Sequence, residues 1–160
     1  LGGMFSRYCR AFGARVLVVD PFKQVGEEGI EQTDLPTLLA QSDVISLHVH
    51  ATTETRKMVD ADWFARMKPE VLLVNTARGD VVDEAALLAF LDSHPAARLA
   101  TDVLADEVRN KAVNPLIARA AQSRQILITP HVGGMTREGQ EIAYGHAAGM
   151  LRRFFQDDKT

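Results

Sequence analysis

The sequence has a single cysteine, Cys9, among 160 residues. That excludes a disulfide framework within the chain and fits a reducing compartment. Long apolar runs are missing too: none approaches the ~20 residues that a membrane-spanning helix needs. Nor is there an excess of basic charge. Eighteen Lys and Arg stand against 21 Asp and Glu, a net charge of −3, and no basic block is present. Nucleic acid and an anionic membrane surface are therefore not expected as partners. Metal-ligand spacings are equally scarce. His48-Val49-His50 puts two imidazoles on alternate strand positions, but no third ligand follows at a characteristic spacing, so no metal is expected. What remains is 46% hydrophobic and 24% charged, the composition of a soluble globular domain, expected in the cytoplasm. A chain of this length buries roughly 70% of its unfolded surface and can hold a core without a staple.

The apolar pattern alternates between two periods. Residues 4–12 carry a helical stripe stopped by Gly13, with Cys9 read as buried filler. Arg15 to Asp20 is a continuous apolar run closed by an acid, and Pro21 forbids further ladder pairing. Such runs predict strands buried on both faces of a parallel sheet. Helices are predicted over 35–40, 61–67, 83–91 with Asp83 as N-cap, 115–122 and about 136–155. Strands are predicted over 44–47, 71–75, 98–103 and 126–129, while 23–34 and 108–114 read as surface loops. Strands separated by helices imply right-handed crossovers in an α/β, doubly wound parallel sheet. His94 and His146 read as surface or helix-packing residues, and Gly139, Gly145 and Gly149 as places of close helix approach.

Ligands of such sheets bind outside the carboxyl ends of the strands. Five features fall there: Asp20, His48 to His50, Asn75 to Gly79, Asp102 to Glu107, and Thr129 to Gly134. Asp20 follows Gly2 at close to the ~20-residue spacing between a dinucleotide-binding turn and the acid that holds a ribose. A helix-start glycine and a strand-end aspartate would give the same spacing.

Taken together, the segments Arg10-Ala11-Phe12-Gly13, Val18-Val19-Asp20-Pro21, Ser42 to His48, Val74-Asn75-Thr76-Ala77-Arg78-Gly79, Thr101-Asp102-Val103 with Glu107, and Leu127 to Gly134 decide the matter. Over nearly its whole length the chain resembles the C-terminal, NAD-binding part of the D-isomer-specific 2-hydroxyacid dehydrogenases, the family that includes D-3-phosphoglycerate dehydrogenase. The resemblance implies a Rossmann-like sheet, NAD as cofactor, a 2-hydroxy or 2-keto acid as substrate, and a homodimer. It implies three catalytic residues. Arg78 would hold the substrate carboxylate and carbonyl, which suits a planar fork of donors. His131 would be the general acid, or the base in reverse. Glu107 would hydrogen-bond His131, orient it and favour its charged form. Asp20 would take the adenosine ribose and Asp102 the nicotinamide carboxamide. Leu1, Gly2, Val49, Thr76, Ala77, Arg78, His131, Gly133 and Gly134 would line the cofactor.

Two positions depart from the family pattern: Val108 follows Glu107 where proline is usual, and His50 stands where proline is common. Family members also carry a preceding region with most of the substrate domain, the first strand of the nucleotide domain and the first two fingerprint glycines. Residues 1–135 are therefore expected to form a NAD-binding domain lacking its first strand. Strands 15–19 and 71–75 would be deprived of the partner they share, and the isolated chain would be poorly stable and inactive. Residues 136–160 would form a helix packing toward the substrate domain. An NAD(H)-sensing module without turnover, or a scaffold, would present the same cofactor motifs.

Overall fold

A computed structural model describes residues 1–107 and 113–157. The chain divides into two compact units, residues 1–128 and 129–160. The first contains α1 (Gly2–Ala11), β1 (Val16–Val18), β2 (Ile30–Gln32), α2 (Leu35–Gln41), β3 (Val44–Leu47), α3 (Ala61–Phe64), β4 (Leu72–Asn75), α4 (Glu84–Ser93), β5 (Arg98–Thr101), α5 (Pro115–Gln122) and β6 (Ile126–Ile128). The second contains α6 (Arg137–Asp157).

Short polar side chains start α2 to α5. Asp34, Asp60, Asp83 and Asn114 each accept first-turn N–H groups, as caps do. Those bonds, with Lys57 beside it, hold the Asp83 carboxyl below the usual carboxylate range. Gly13, at φ +84°, ends α1 in a conformation that glycine adopts without strain. Helix α3 is shorter than the pattern over 61–67 suggests. Its tail tightens into i to i+3 bonds, Arg66 N–H to Trp63 and Met67 N–H to Phe64, before Pro69.

All strand pairs are parallel, in a four-stranded sheet of order β3-β4-β5-β6 and a two-stranded sheet of β1 and β2. The register aligns Ile45, Leu73, Leu99 and Ile126 in one row, all buried with Leu39, Phe64, Leu87, Phe90, Leu91 and Leu116 in one core cluster. The opposite row, Ser46, Val74, Ala100 and Leu127, is only half-buried and ends in an exposed leucine. Burial on both faces is thus not observed: α2 to α5 all send their buried residues to the same side.

Two further expectations are corrected. Residues 23–34 contain a strand, β2, which pairs with β1 from Val16↔Ile30 to Val18↔Gln32. Because β2 takes one place in the sequence of strands, the partners shift by one. Strand β4 is bonded on both sides, by β3 and β5, whereas β1 and β3 each have a single partner. Residues 71–75 therefore lack no partner; among the described strands the singly paired ones are β1, β2, β3 and β6. Cys9 is half-buried rather than core, since α1 has no buried residue. A Cβ at Gly145 or Gly149 would meet no described atom, so no close helix approach among the described residues accounts for them. His94 is a packing residue, stacked on Phe90 with ring centroids 4.3 Å apart.

Candidate functional site

The segment after β4 is shaped by one buried side chain. Asn75, 2% exposed, donates from Nδ2 to the Arg78 carbonyl and accepts the Ala77 N–H at Oδ1, both at 3.0 Å. Its own carbonyl accepts the Asp102 N–H at 3.0 Å. The three bonds fix Thr76, Ala77 and Arg78 as a tight turn at the carboxyl end of β4 and tie it to the end of β5. The Arg78 side chain points into solvent, donating from Nη1 to the Ala77 carbonyl at 2.7 Å, and pairs with no carboxylate among the described residues. Gly79 is buried so tightly that a Cβ there would fall on the backbone of Leu104 and Ala105.

That contact brings the second strand end to the first. Asp102 is 8% exposed at the end of β5, and Thr101 donates its hydroxyl to the Val103 carbonyl at 2.6 Å. Glu107 turns back over its own loop, where Oε2 accepts the Leu104 N–H at 3.1 Å. Val108 and most of the loop read over 108–114 lie outside the described residues. Asn114 corrects that reading in part: it is 7% exposed and caps α5 through Leu116 N–H at 2.8 Å.

A second cluster forms around the start of α1. The helix begins after Leu1 with no side-chain cap, so its first N–H groups have no intrahelical partner. A Cβ on Gly2 would lie 3.2 Å from the His48 Cβ, and the Phe5 ring is 5.4 Å from the imidazole. Burial of the ring holds His48 below the ordinary imidazole value, and its Nε2 lies 3.0 Å from the Ser46 hydroxyl. Val49 is half-buried beside it. His50, despite replacing a common proline, is anchored at its carbonyl by the Thr55 hydroxyl at 2.6 Å. Asp20 follows β1, its Oδ1 accepting the N–H groups of Phe22 and Lys23 at 2.9 and 3.1 Å. Free N–H groups at a glycine helix start, with an acid after the next strand, fit a dinucleotide's phosphates and ribose.

The remaining residues belong to the second unit. Pro130, His131, Val132 and Met135 line one concavity. His131 is half-buried with φ +58°, and its N–H bonds the Thr129 carbonyl at 3.0 Å. Left-handed backbone on a non-glycine residue costs of order 1 kcal/mol and concentrates at functional sites. Gly133 and Gly134 follow as exposed backbone, and a Cβ on Gly134 would meet nothing.

The family model for the D-isomer specific 2-hydroxyacid dehydrogenase NAD binding domain matches residues 1–133. The chain belongs to that family. Among relatives of this dehydrogenase domain, the erythronate-4-phosphate dehydrogenase of Psychrobacter sp. is 38% identical over 146 residues, 88% of this chain and 37% of that protein. The D-3-phosphoglycerate dehydrogenase of Mycobacterium tuberculosis is 36% identical over 155 residues, 95% of this chain and 28% of that protein. The crystal structure of D-lactate dehydrogenase from Aquifex aeolicus complexed with NAD and lactic acid matches with a TM-score of 0.88 at 34% identity, over 98% of this chain and 51% of that chain. This dehydrogenase domain thus spans about half of that structure and less of the two relatives. No described helix is long and apolar enough to cross a membrane. The sequence motifs pointed to Arg78, Asp102 and Glu107. They gave no separate role to Asn75, though it stands within the quoted run, nor to Asn114 or to Glu84, whose contacts cross many residues.

Proposed function

We propose that the chain is the nucleotide-binding and catalytic part of an NAD-dependent dehydrogenase that interconverts a 2-hydroxy acid and a 2-keto acid. Residues 1–135 form its NAD-binding domain, and the segment from 136, which carries α6 (Arg137–Asp157), reaches toward a substrate domain, within a cytoplasmic homodimer. One observation carries the reading: an exposed arginine whose backbone carbonyl is held by Asn75, seated through Gly79 on the loop that bears Asp102 and Glu107, at the carboxyl ends of adjacent parallel strands.

The hydride chemistry belongs to the nicotinamide. The chain's residues bind, orient and move the proton. The first turn of α1 and Asp20 hold the cofactor's phosphates and adenosine ribose, with Leu1, Gly2, Val49, Thr76, Ala77, Gly133 and Gly134 as its lining and Asp102 as the carboxamide acceptor. Arg78 pairs with the substrate carboxylate and carbonyl. His131 gives a proton to the carbonyl oxygen in reduction and takes one from the hydroxyl in oxidation. Glu107 orients His131.

Arg78→Lys tests the reading in the complete enzyme. An ammonium cannot reproduce two parallel bonds to a carboxylate. The kcat/KM for keto acids should fall about 10–100-fold, the worth of one or two charged hydrogen bonds, while NADH binding stays unchanged. Wild-type kcat/KM across a panel of 2-keto acids would reject the assignment.

Cofactor choice follows from Asp20. Its carboxylate would meet a 2′-phosphate as like charge, and Pro21 and Phe22 supply no cation. Its Oδ1 is engaged by the Phe22 and Lys23 N–H groups, which fixes the acid in place. NAD should be preferred over NADP by about 100-fold or more in kcat/KM, the size of a ~2.7 kcal/mol penalty. Equal values for the two cofactors would remove Asp20 from the ribose site.

A further inference from the structure

Glu84 is the first residue of α4, a position where an acid normally faces solvent and complements the helix dipole. Here both carboxylate oxygens turn away from their own helix. Oε1 accepts the Ala105 N–H at 2.7 Å and Oε2 accepts the Asn114 side-chain amide at 2.7 Å, short distances typical of charge-assisted bonds. Asn114 is itself buried, and its other side-chain atom, Oδ1, caps α5 through Leu116 N–H. A single carboxylate therefore joins the starts of α4 and α5 to the backbone at Ala105.

Ala105 is a strategic place to hold. It lies between Asp102 and Glu107, its neighbour Leu104 donates its N–H to Glu107 Oε2, and both Leu104 and Ala105 form the seat of Gly79. Gly79 follows Arg78 directly. A shift of the peptide at Ala105 is thus passed to the Glu107 carboxylate on one side and the Arg78 turn on the other.

We infer that Glu84 and Asn114 are positioning residues: together they set the placement of Glu107 and Arg78 for catalysis. The inference rests on the roles proposed above for those two residues. Neither Glu84 nor Asn114 touches α1 or Asp20, which hold the phosphates and the adenosine ribose in the proposal, so their loss weakens turnover more than nucleotide binding.

The test uses the complete enzyme with NADH and its best 2-keto acid. In Glu84→Gln an amide N–H₂ replaces one oxygen and meets the Asn114 or Ala105 donor, donor against donor. The kcat should fall about tenfold or more, with the NADH dissociation constant within about twofold of wild type. The double variant Glu84→Gln/Asn114→Asp reverses the polarity of the bond while the new carboxylate still caps α5, and should recover kcat to within about threefold. A purely structural brace would lower the melting temperature without this loss and recovery of kcat. Should Glu84→Gln not fold, Asn114→Ser decides: it keeps a capping oxygen and deletes only the amide donor, and kcat should fall at least about threefold. Wild-type kcat in Glu84→Gln, or in Asn114→Ser, overturns the inference, as does a loss of NADH affinity equal to the loss of kcat. Arg78→Lys run in parallel separates the two failures. If it cripples turnover while Glu84→Gln does not, the brace is wrong and the site stands; if neither does, the site itself is wrong.

Discussion

Replacing His131 with asparagine should lower kcat/KM for keto-acid reduction by about 10²–10⁴, the usual worth of a positioned general acid. Asparagine is the right replacement for a backbone reason. His131 sits at φ +58°, and asparagine is among the few side chains that enter this region readily. The variant keeps the turn after Pro130, so the loss reports the imidazole alone. Alanine would mix that loss with backbone strain. NADH binding should persist in His131→Asn, because the first turn of α1 and Asp20 are untouched. Steady-state kinetics with matched cofactor titrations check this, and near-normal turnover would remove His131 as proton donor.

The second large effect is expected at Gly79. A methyl group there would fall on the backbone of Leu104 and Ala105, and backbone cannot rotate aside as a flexible side chain can. Forcing even one carbon into such a packed place costs about 1–3 kcal/mol and occasionally more. In Gly79→Ala the melting temperature of the complete enzyme should fall by roughly 2–12 °C. Turnover should fall with it, because the displaced segments carry Arg78 on one side and Glu107 on the other. Calorimetry and kinetics on the same preparation measure both. An unchanged melting temperature with wild-type turnover would show that the two strand ends do not meet at Gly79.

Local chemistry made much of this fold readable. Strand β3 was read with its observed ends because Val44 to Leu47 is an apolar-rich run set between Asp43 and His48. Helix α5 begins where the sequence pattern puts it, at Pro115, a residue preset for a first turn. Asp83, a capping side chain, announced α4. Strand β2 was not legible, since Ile30 is its only buried residue and its two other positions are exposed and polar. Its strand character comes from parallel pairing with β1, which no local pattern encodes. Asn114 read as loop for a similar reason: a polar residue in a polar stretch gives no sign that Glu84 waits for it.

The same division applies to the candidate site. Arg78, Asp102, Glu107 and His131 stand in short motifs, so the sequence pointed to them directly. The contacts that hold Arg78 and Glu107 in place, Asn75 to Arg78, Gly79 against Ala105 and Glu84 to Asn114, depend on segments far apart in sequence.

In the proposed mechanism Glu107 and His131 act as one acid–base pair on a keto acid. The most direct measurement compares kcat/KM for keto-acid reduction in the complete enzyme for wild type, Glu107→Gln, His131→Asn and the two changes together. If Glu107 acts through His131, the double variant should lose no more than His131→Asn alone. Losses that simply multiply would break the pair.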